Sequence, residues 1–376
     1  MKEIIIFGMG PPGLFLAREL GNKSILHCIG RNDDIGMSSK YGNKYIAATA
    51  EEVGSIVRSI IKEAETKPIG LIASGKYLSI ILEEVPEIIN SLDMLGVDFE
   101  LVKLLNKKDS AYKMLEKSNI KTPKSVLLRD ICIEQPNKFP LIAKWAKTHL
   151  HHDDSWKTKI INDKTELCEF IQATDIEEFG DYILIQEYIN GQNVEEWGYG
   201  AYFENGREVA GIVFEQKRQF PEGICCYATE VMNSKAEHIS EELRTFLFNI
   251  NYTGFIQFDI LVDDIGNFYV LDVNPRPWGS AKILKKNFTN IGNYLVGKEA
   301  RAEKMERAER PARFIRIFSD LYYIGRKFLG TRRSGIVREA INDYSGGIRI
   351  IDEFDKKDLG PVYGALKKGV SQLREL

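Results

Sequence analysis

Short apolar, β-branched runs and amphipathic stretches take turns along the first hundred residues. Ile4–Phe7, Ser24–Ile29 and Ile69–Ala73 read as strands, while Gly13–Leu20, Glu51–Ala64 and Leu78–Asn90 space their apolar residues as helices do. That order predicts parallel strands joined by crossover helices. A Lys-rich helix, Lys107–Ser118, follows, and Thr122-Pro123 turns the chain from helix to extended segment. Strand Leu141–Ala143, helix Lys164–Gln172 and strand Tyr182–Ile185 form a smaller unit. Residues 191–280 are strand-rich. Glu195–Phe203 and Glu208–Phe214 flank Asn205-Gly206, the strongest short hairpin signal, and Gly254–Val262 and Phe268–Val273 flank Asp263-Asp-Ile-Gly266. The pattern predicts an α/β chain with α+β character, divided at 1–105, 106–190, 191–298 and 299–376.

Composition narrows the partners. With 376 residues, 28% of them charged, 51 basic against 54 acidic side chains give a formal charge of −3. Such a chain has room for two or three packed units and no overall field that favours nucleic acid. Five scattered cysteines without a C-x-x-C pair suit a reducing cytoplasm. No apolar run approaches the ~18 residues that span a bilayer, and Met1 leads straight into a strand-like run with no export signal. Between Arg301 and Arg333 ten basic residues face four acidic ones, interleaved with Phe314, Ile317, Phe318, Leu321, Tyr322, Ile324 and Phe328. This reads as basic amphipathic helix, with its charges solvated or laid against a membrane surface or another anionic partner.

Two segments carry candidate chemistry. Gly8-Met-Gly10-Pro-Pro-Gly13 has the G-x-G-x-x-G spacing of dinucleotide folds, but Gly30-Arg31-Asn32 stands where an acid would meet the ribose. The turn either packs strand against helix or serves an NAD(P)-dependent oxidoreductase. In Gly254-Phe-Ile-Gln-Phe-Asp259-Ile-Leu-Val-Asp-Asp-Ile-Gly-Asn-Phe-Tyr-Val-Leu-Asp272-Val-Asn274-Pro-Arg276, strand alternation puts Asp272 and Asn274 on one face, and the hairpin brings Asp259 beside them. Carboxylate and amide oxygens of this kind suit Mg²⁺, with Mn²⁺ as the alternative, and Arg276 adds a donor fork for a phosphoryl oxygen.

This hairpin resembles that of the ATP-grasp superfamily, where an acid is followed across the turn by Glu-x-Asn and often Asn-Pro-Arg; Asp272 departs from the usual Glu. Its flanks are similar to carboxylate–amine ligases and to the large chain of carbamoyl-phosphate synthetase. The resemblance implies an ATP-grasp fold with an N-terminal Rossmann-like domain and a C-terminal helical extension, ATP and magnesium as cofactors, and Asp259, Asp272 and Asn274 as metal ligands. Phe139-Pro-Leu-Ile-Ala-Lys144 and Asn106-Lys-Lys108-Asp109 match the family's phosphate-side cations, which assigns that role to Lys144 and Lys108, with Lys107 adjacent. Leu184-Ile-Gln186-Glu187-Tyr188-Ile189-Asn-Gly191 resembles the adenine hinge, and Glu195 the ribose acid, with Glu196 one place away. Lys217 and Arg218, in Phe214-Glu-Gln-Lys-Arg, resemble the family's acceptor-side basic strand and join Arg276 as catalytic candidates. The segment Ala146-Lys-Thr-His149-Leu-His151-His152-Asp-Asp154 lacks the family's glycines and reads as a polar lid, a zinc-binding cluster or a plain loop. The implied reaction joins a small-molecule carboxylate to an amine through an acyl phosphate, by a cytoplasmic protein that is monomeric or homodimeric. A nucleotide-binding protein without catalysis is the third reading.

Overall fold

The computed structural model describes residues 1–132, 138–146, 156, 158–189, 194–221, 223–263, 265–297, 310–331 and 335–366. The His149–Asp154 loop, Asn190-Gly191 and residues 301–309 of the basic stretch lie outside them. Among the described residues no helix is long and apolar enough to cross a membrane. Contacts group the chain into two compact units with interleaved segments: 1–99, 197–257 and 274–376 form one, and 100–196 with 258–273 the other.

The first unit opens with strands β1 (Glu3–Phe7), β2 (Ile25–Gly30), β3 (Asn43–Ile46) and β4 (Ile69–Ile72), all parallel in the order β3-β2-β1-β4. Both faces of β1 are buried: Ile4 and Ile6 enter one core cluster, Ile5 and Phe7 another. Helices on both sides of a parallel sheet produce this pattern, and it explains why the strand reads as an unbroken apolar run. The expected helix over Leu78–Asn90 is two, Gly75–Glu83 and Glu87–Ser91, parted by Pro86, which cannot continue a helix it interrupts.

In the second unit, β5 (Ser125–Leu127), β6 (Leu141–Trp145), β7 (Thr158–Ile161) and β8 (Ile183–Glu187) form an antiparallel sheet in the order β5-β8-β6-β7. Leu141, Ala143, Trp145, Ile183 and Ile185 pack under helix Lys164–Ala173 in one core. Alternation therefore turns Ile142, Lys144, Leu184 and Gln186 to the opposite face.

A larger sheet contains β9 (Glu195–Glu204), β10 (Arg207–Gln219), β11 (Cys225–Glu230), β12 (Gly254–Val262), β13 (Phe268–Asn274), β14 (Ala312–Ile315) and β15 (Ile348–Ile351). Within the first unit it runs β12-β9-β10-β11-β14-β15, and β12 leads into the β12–β13 hairpin of the second. Asn205 and Gly206 both have positive φ, 48° and 74°, as the predicted tight hairpin turn requires. Helix Ser234–Asn249, capped by Asn233 on the Ala236 amide, falls inside the stretch read as strands.

The C-terminal extension holds strands beside its helices. Helix Ile317–Thr331 is present, but Arg313 and Phe314 lie on β14, and β15 pairs parallel to it. Two of the basic residues leave the solvated face: Arg316 is buried and pairs with Asp352 at 3.0 Å, and Arg313 donates to main-chain carbonyls of Asn342 and Asp343, while Arg310, Arg326 and Lys327 are exposed. Asp358 fastens the end of the chain to its beginning, accepting from Arg18 Nε at 3.0 Å, Ser39 Oγ at 2.8 Å and the Lys40 amide at 2.9 Å, with both ionic side chains almost fully buried. Substituting Asp358→Ala leaves a buried guanidinium without its carboxylate, so urea denaturation of the variant is expected to show a loss of about 3–5 kcal/mol. A loss below ~1 kcal/mol contradicts this account of the tail.

Candidate functional site

Several of the candidate side chains come together in the second unit. Lys108 opens helix Lys108–Lys117, is buried, and places its Nζ 3.1 Å from Asp272 Oδ2 on β13. One helical turn on, Tyr112 donates its hydroxyl to the Leu271 carbonyl at 2.6 Å. Residues four apart share a helix face, so a single helix grips two successive positions of the metal-candidate strand. Tyr112 also accepts from Gln186 Nε2 at 3.2 Å. Its only proton goes to Leu271, so the amide nitrogen must be the Gln186 atom that faces it. Gln186 Oε1 is then left buried with no hydrogen-bond partner among the described residues, which costs free energy until a donor reaches it.

Lys144 stands on the same sheet face as Gln186, since Lys144 pairs in register with Leu184 and Ile142 with Gln186. Burial depresses its pKa below the ordinary lysine value, and the charge of Lys108 lowers it further; Asp272, Asp259 and Glu196 pull the other way. Two cations and three carboxylates thus share one field. Burial and the Asp272 charge likewise raise the Tyr112 pKa, so its hydroxyl remains protonated. Because β9 alternates, Glu195 and Glu196 point to opposite sides, and it is the Glu196 charge that acts on Lys144.

Other candidates are placed differently. Glu187 spends one carboxylate oxygen on the Lys124 amide at 3.1 Å, Tyr188 is exposed and Ile189 half-buried. Asn274 and Arg276, in the first unit, pair with each other through Nη2 and Oδ1 at 3.0 Å. In that unit Arg218 is buried between Asp320, at 2.6 Å and 2.9 Å, and Asp343, at 2.5 Å, and these carboxylates raise its pKa. Lys217 lies 3.7 Å from Glu215. Among the described residues no three His, Cys, Asp or Glu side chains gather as a metal cluster; the candidate set has two carboxylates and an amide. In the glycine turn, Asp34 accepts from the Met9 and Arg31 amides at 3.1 and 3.0 Å, so a carboxylate stands beside the amides a pyrophosphate needs. A Cβ on Gly13 would lie 1.9 Å from the Gly8 carbonyl oxygen, so close packing requires glycine there.

Tyr112 is the residue that sequence reading missed. Its place four residues after Lys108 was the available signal. The lowered Lys144 pKa has a consequence for stability. The charged lysine penalises the fold at neutral pH, and the penalty fades as pH climbs from the folded pKa towards the unfolded value near ~10.4. Lys144→Met is therefore expected to melt above the unsubstituted chain at pH 7, with the gap narrowing by pH 10. Thermal melts at the two pH values check it, and a gap that does not narrow contradicts the assignment.

No family model matches the chain. It is 22% identical over 242 residues to a D-aspartate ligase of Enterococcus faecium (strain Aus0004), a match covering 60% of this chain and 57% of that relative. The chain thus spans little more than half of the curated relative's length. Among solved structures it is similar to N5-carboxyaminoimidazole synthetase from Staphylococcus aureus complexed with ADP (TM-score 0.65, 14% identity, 88% of this chain and 86% of the other). It also resembles an L-amino acid ligase from Bacillus licheniformis (TM-score 0.60, 15% identity, 83% and 78%). A third is the biotin carboxylase domain of 2-oxoglutarate carboxylase from Hydrogenobacter thermophilus, solved with MgADP (TM-score 0.62, 13% identity, 81% and 72%). Agreement over four-fifths of the chain at such low identity establishes architecture, and the architecture is the ATP-grasp fold.

Proposed function

We propose that this chain is an ATP-dependent carboxylate–amine ligase that releases ADP and phosphate. The observation that carries the reading is the charge arrangement of the second unit: Lys108 and Lys144 are held beside Asp272, with Asp259 and Glu196 acting on the same field. Phosphoryl transfer asks a protein chiefly for position and for charges set in advance, and this set supplies both signs. The orphaned Gln186 oxygen fits the amino group of an adenine base. Asp259 and Asp272, both in the second unit, would hold magnesium, whose chemistry would be to neutralise phosphate charge. Glu195 or Glu196 would accept from the ribose hydroxyls.

In this reading a substrate carboxylate oxygen attacks the γ-phosphorus, the bond to the β–γ bridging oxygen breaks, and ADP leaves. The amine nitrogen then attacks the acyl carbon of the acyl phosphate, expelling phosphate and losing a proton as the amide forms. Lys144 and Lys108 steady the charge that accumulates on the phosphoryl oxygens. The names of the D-aspartate ligase and the L-amino acid ligase point to an amino acid as one substrate, with D-aspartate the first to try.

ADP release in a coupled assay, with D- and L-amino acids against small carboxylates, tests the proposal. Turnover is expected only with both partners present, and Asp272→Asn should lower kcat/KM for MgATP by about 100-fold or more. AMP as the product, or full activity in the variant, contradicts it.

A further inference from the structure

We infer that Tyr112 is a positioning residue that fixes which end of the Gln186 amide faces the nucleotide base, and so sets the base preference. The inference rests on the reading above, in which the base lies against Gln186. An amide presents a donor at one end and an acceptor at the other, and rotation by half a turn exchanges them at little cost in shape. At Gln186 the exchange is blocked. The Tyr112 hydroxyl has given its proton to the Leu271 carbonyl at 2.6 Å, so only its lone pairs face the amide, and they accept from Nε2 at 3.2 Å. Turning the amide would set an oxygen against those lone pairs inside a site where both side chains are at most 3% exposed. The acceptor Oε1 is thus the end without a partner among the described residues, and in the reading above it is the end that meets the base. It suits a base carrying an amino group at its 6-position and opposes one carrying a carbonyl there. Because the same hydroxyl holds the carbonyl of the residue before Asp272, the base end and the metal-candidate strand are tied through one side chain.

The test compares MgATP with MgITP, which differ in that amino or carbonyl group, by tryptophan-fluorescence titration of the full chain. A site that must bond a donor rejects an isostere lacking it, so the unsubstituted chain is expected to prefer ATP by about tenfold or more. In Tyr112→Phe the ring stays and the lock is lost. The ATP:ITP ratio is expected to fall within about threefold, with ITP gaining as ATP weakens. A merely structural defect weakens both nucleotides by the same factor. In the Tyr112→Phe background, Gln186→Glu is expected to restore the preference, because a carboxylate offers an acceptor whichever way it is turned; circular dichroism at low temperature establishes that each variant is folded. An unchanged ratio in Tyr112→Phe, no preference in the unsubstituted chain, or a folded double variant without rescue overturns the inference. Binding of neither nucleotide by the unsubstituted chain counts against the ligase reading itself.

Discussion

Everything in the candidate site depends on keeping Lys144 charged where the chain half-buries it. Burial and Lys108 both oppose that charge, and among the described residues Asp272, Asp259 and Glu196 support it. Lys108 is itself committed to Asp272 at 3.1 Å. The opposing influences prevail and the Lys144 pKa is lowered, so the cation is underpaired, a condition under which an arriving polyanion gains from cations already in place. Such an arrangement costs stability in the free protein, as strained or underpaired functional sites commonly do.

How the fold supplies these charges follows from simple periodicities. An alternating strand sends Leu141, Ala143 and Trp145 to the core and Lys144 to the other face. A helix with side chains four apart brings Lys108 and Tyr112 to successive residues of β13. The first unit relies on longer reach. Arg18 meets Asp358, Arg316 meets Asp352 and Arg218 meets Asp320 and Asp343, so its sheet and tail are joined by buried ion pairs between distant parts of the chain. Such pairs are costly to break by removing one partner, whatever their net worth.

These distances also separate what the sequence could and could not reveal. The Pro-Leu-Ile-Ala-Lys144 alternation and the Asn205-Gly206 turn were legible because each depends on neighbours a few residues away. Local glycine geometry at Gly8–Gly13 was legible in outline, though not that Asp34 would accept from the amides of the turn. The partners of Arg218 were not, since Asp320 and Asp343 stand more than a hundred residues on. Neither was the choice of Glu196 over Glu195 for the Lys144 field, which the phase of β9 decides, nor the strands of the C-terminal extension, whose pairing is tertiary.

The central claim is that lysines and carboxylates of the second unit act together on one bound nucleotide. A double-mutant cycle of Lys144→Met and Asp272→Asn, read by isothermal titration of MgADP, measures that most directly. If the two side chains serve one ligand field, the double variant loses less affinity than the single losses combined, with a coupling above ~1 kcal/mol. Strictly additive losses, or MgADP binding that neither substitution alters, would contradict the account.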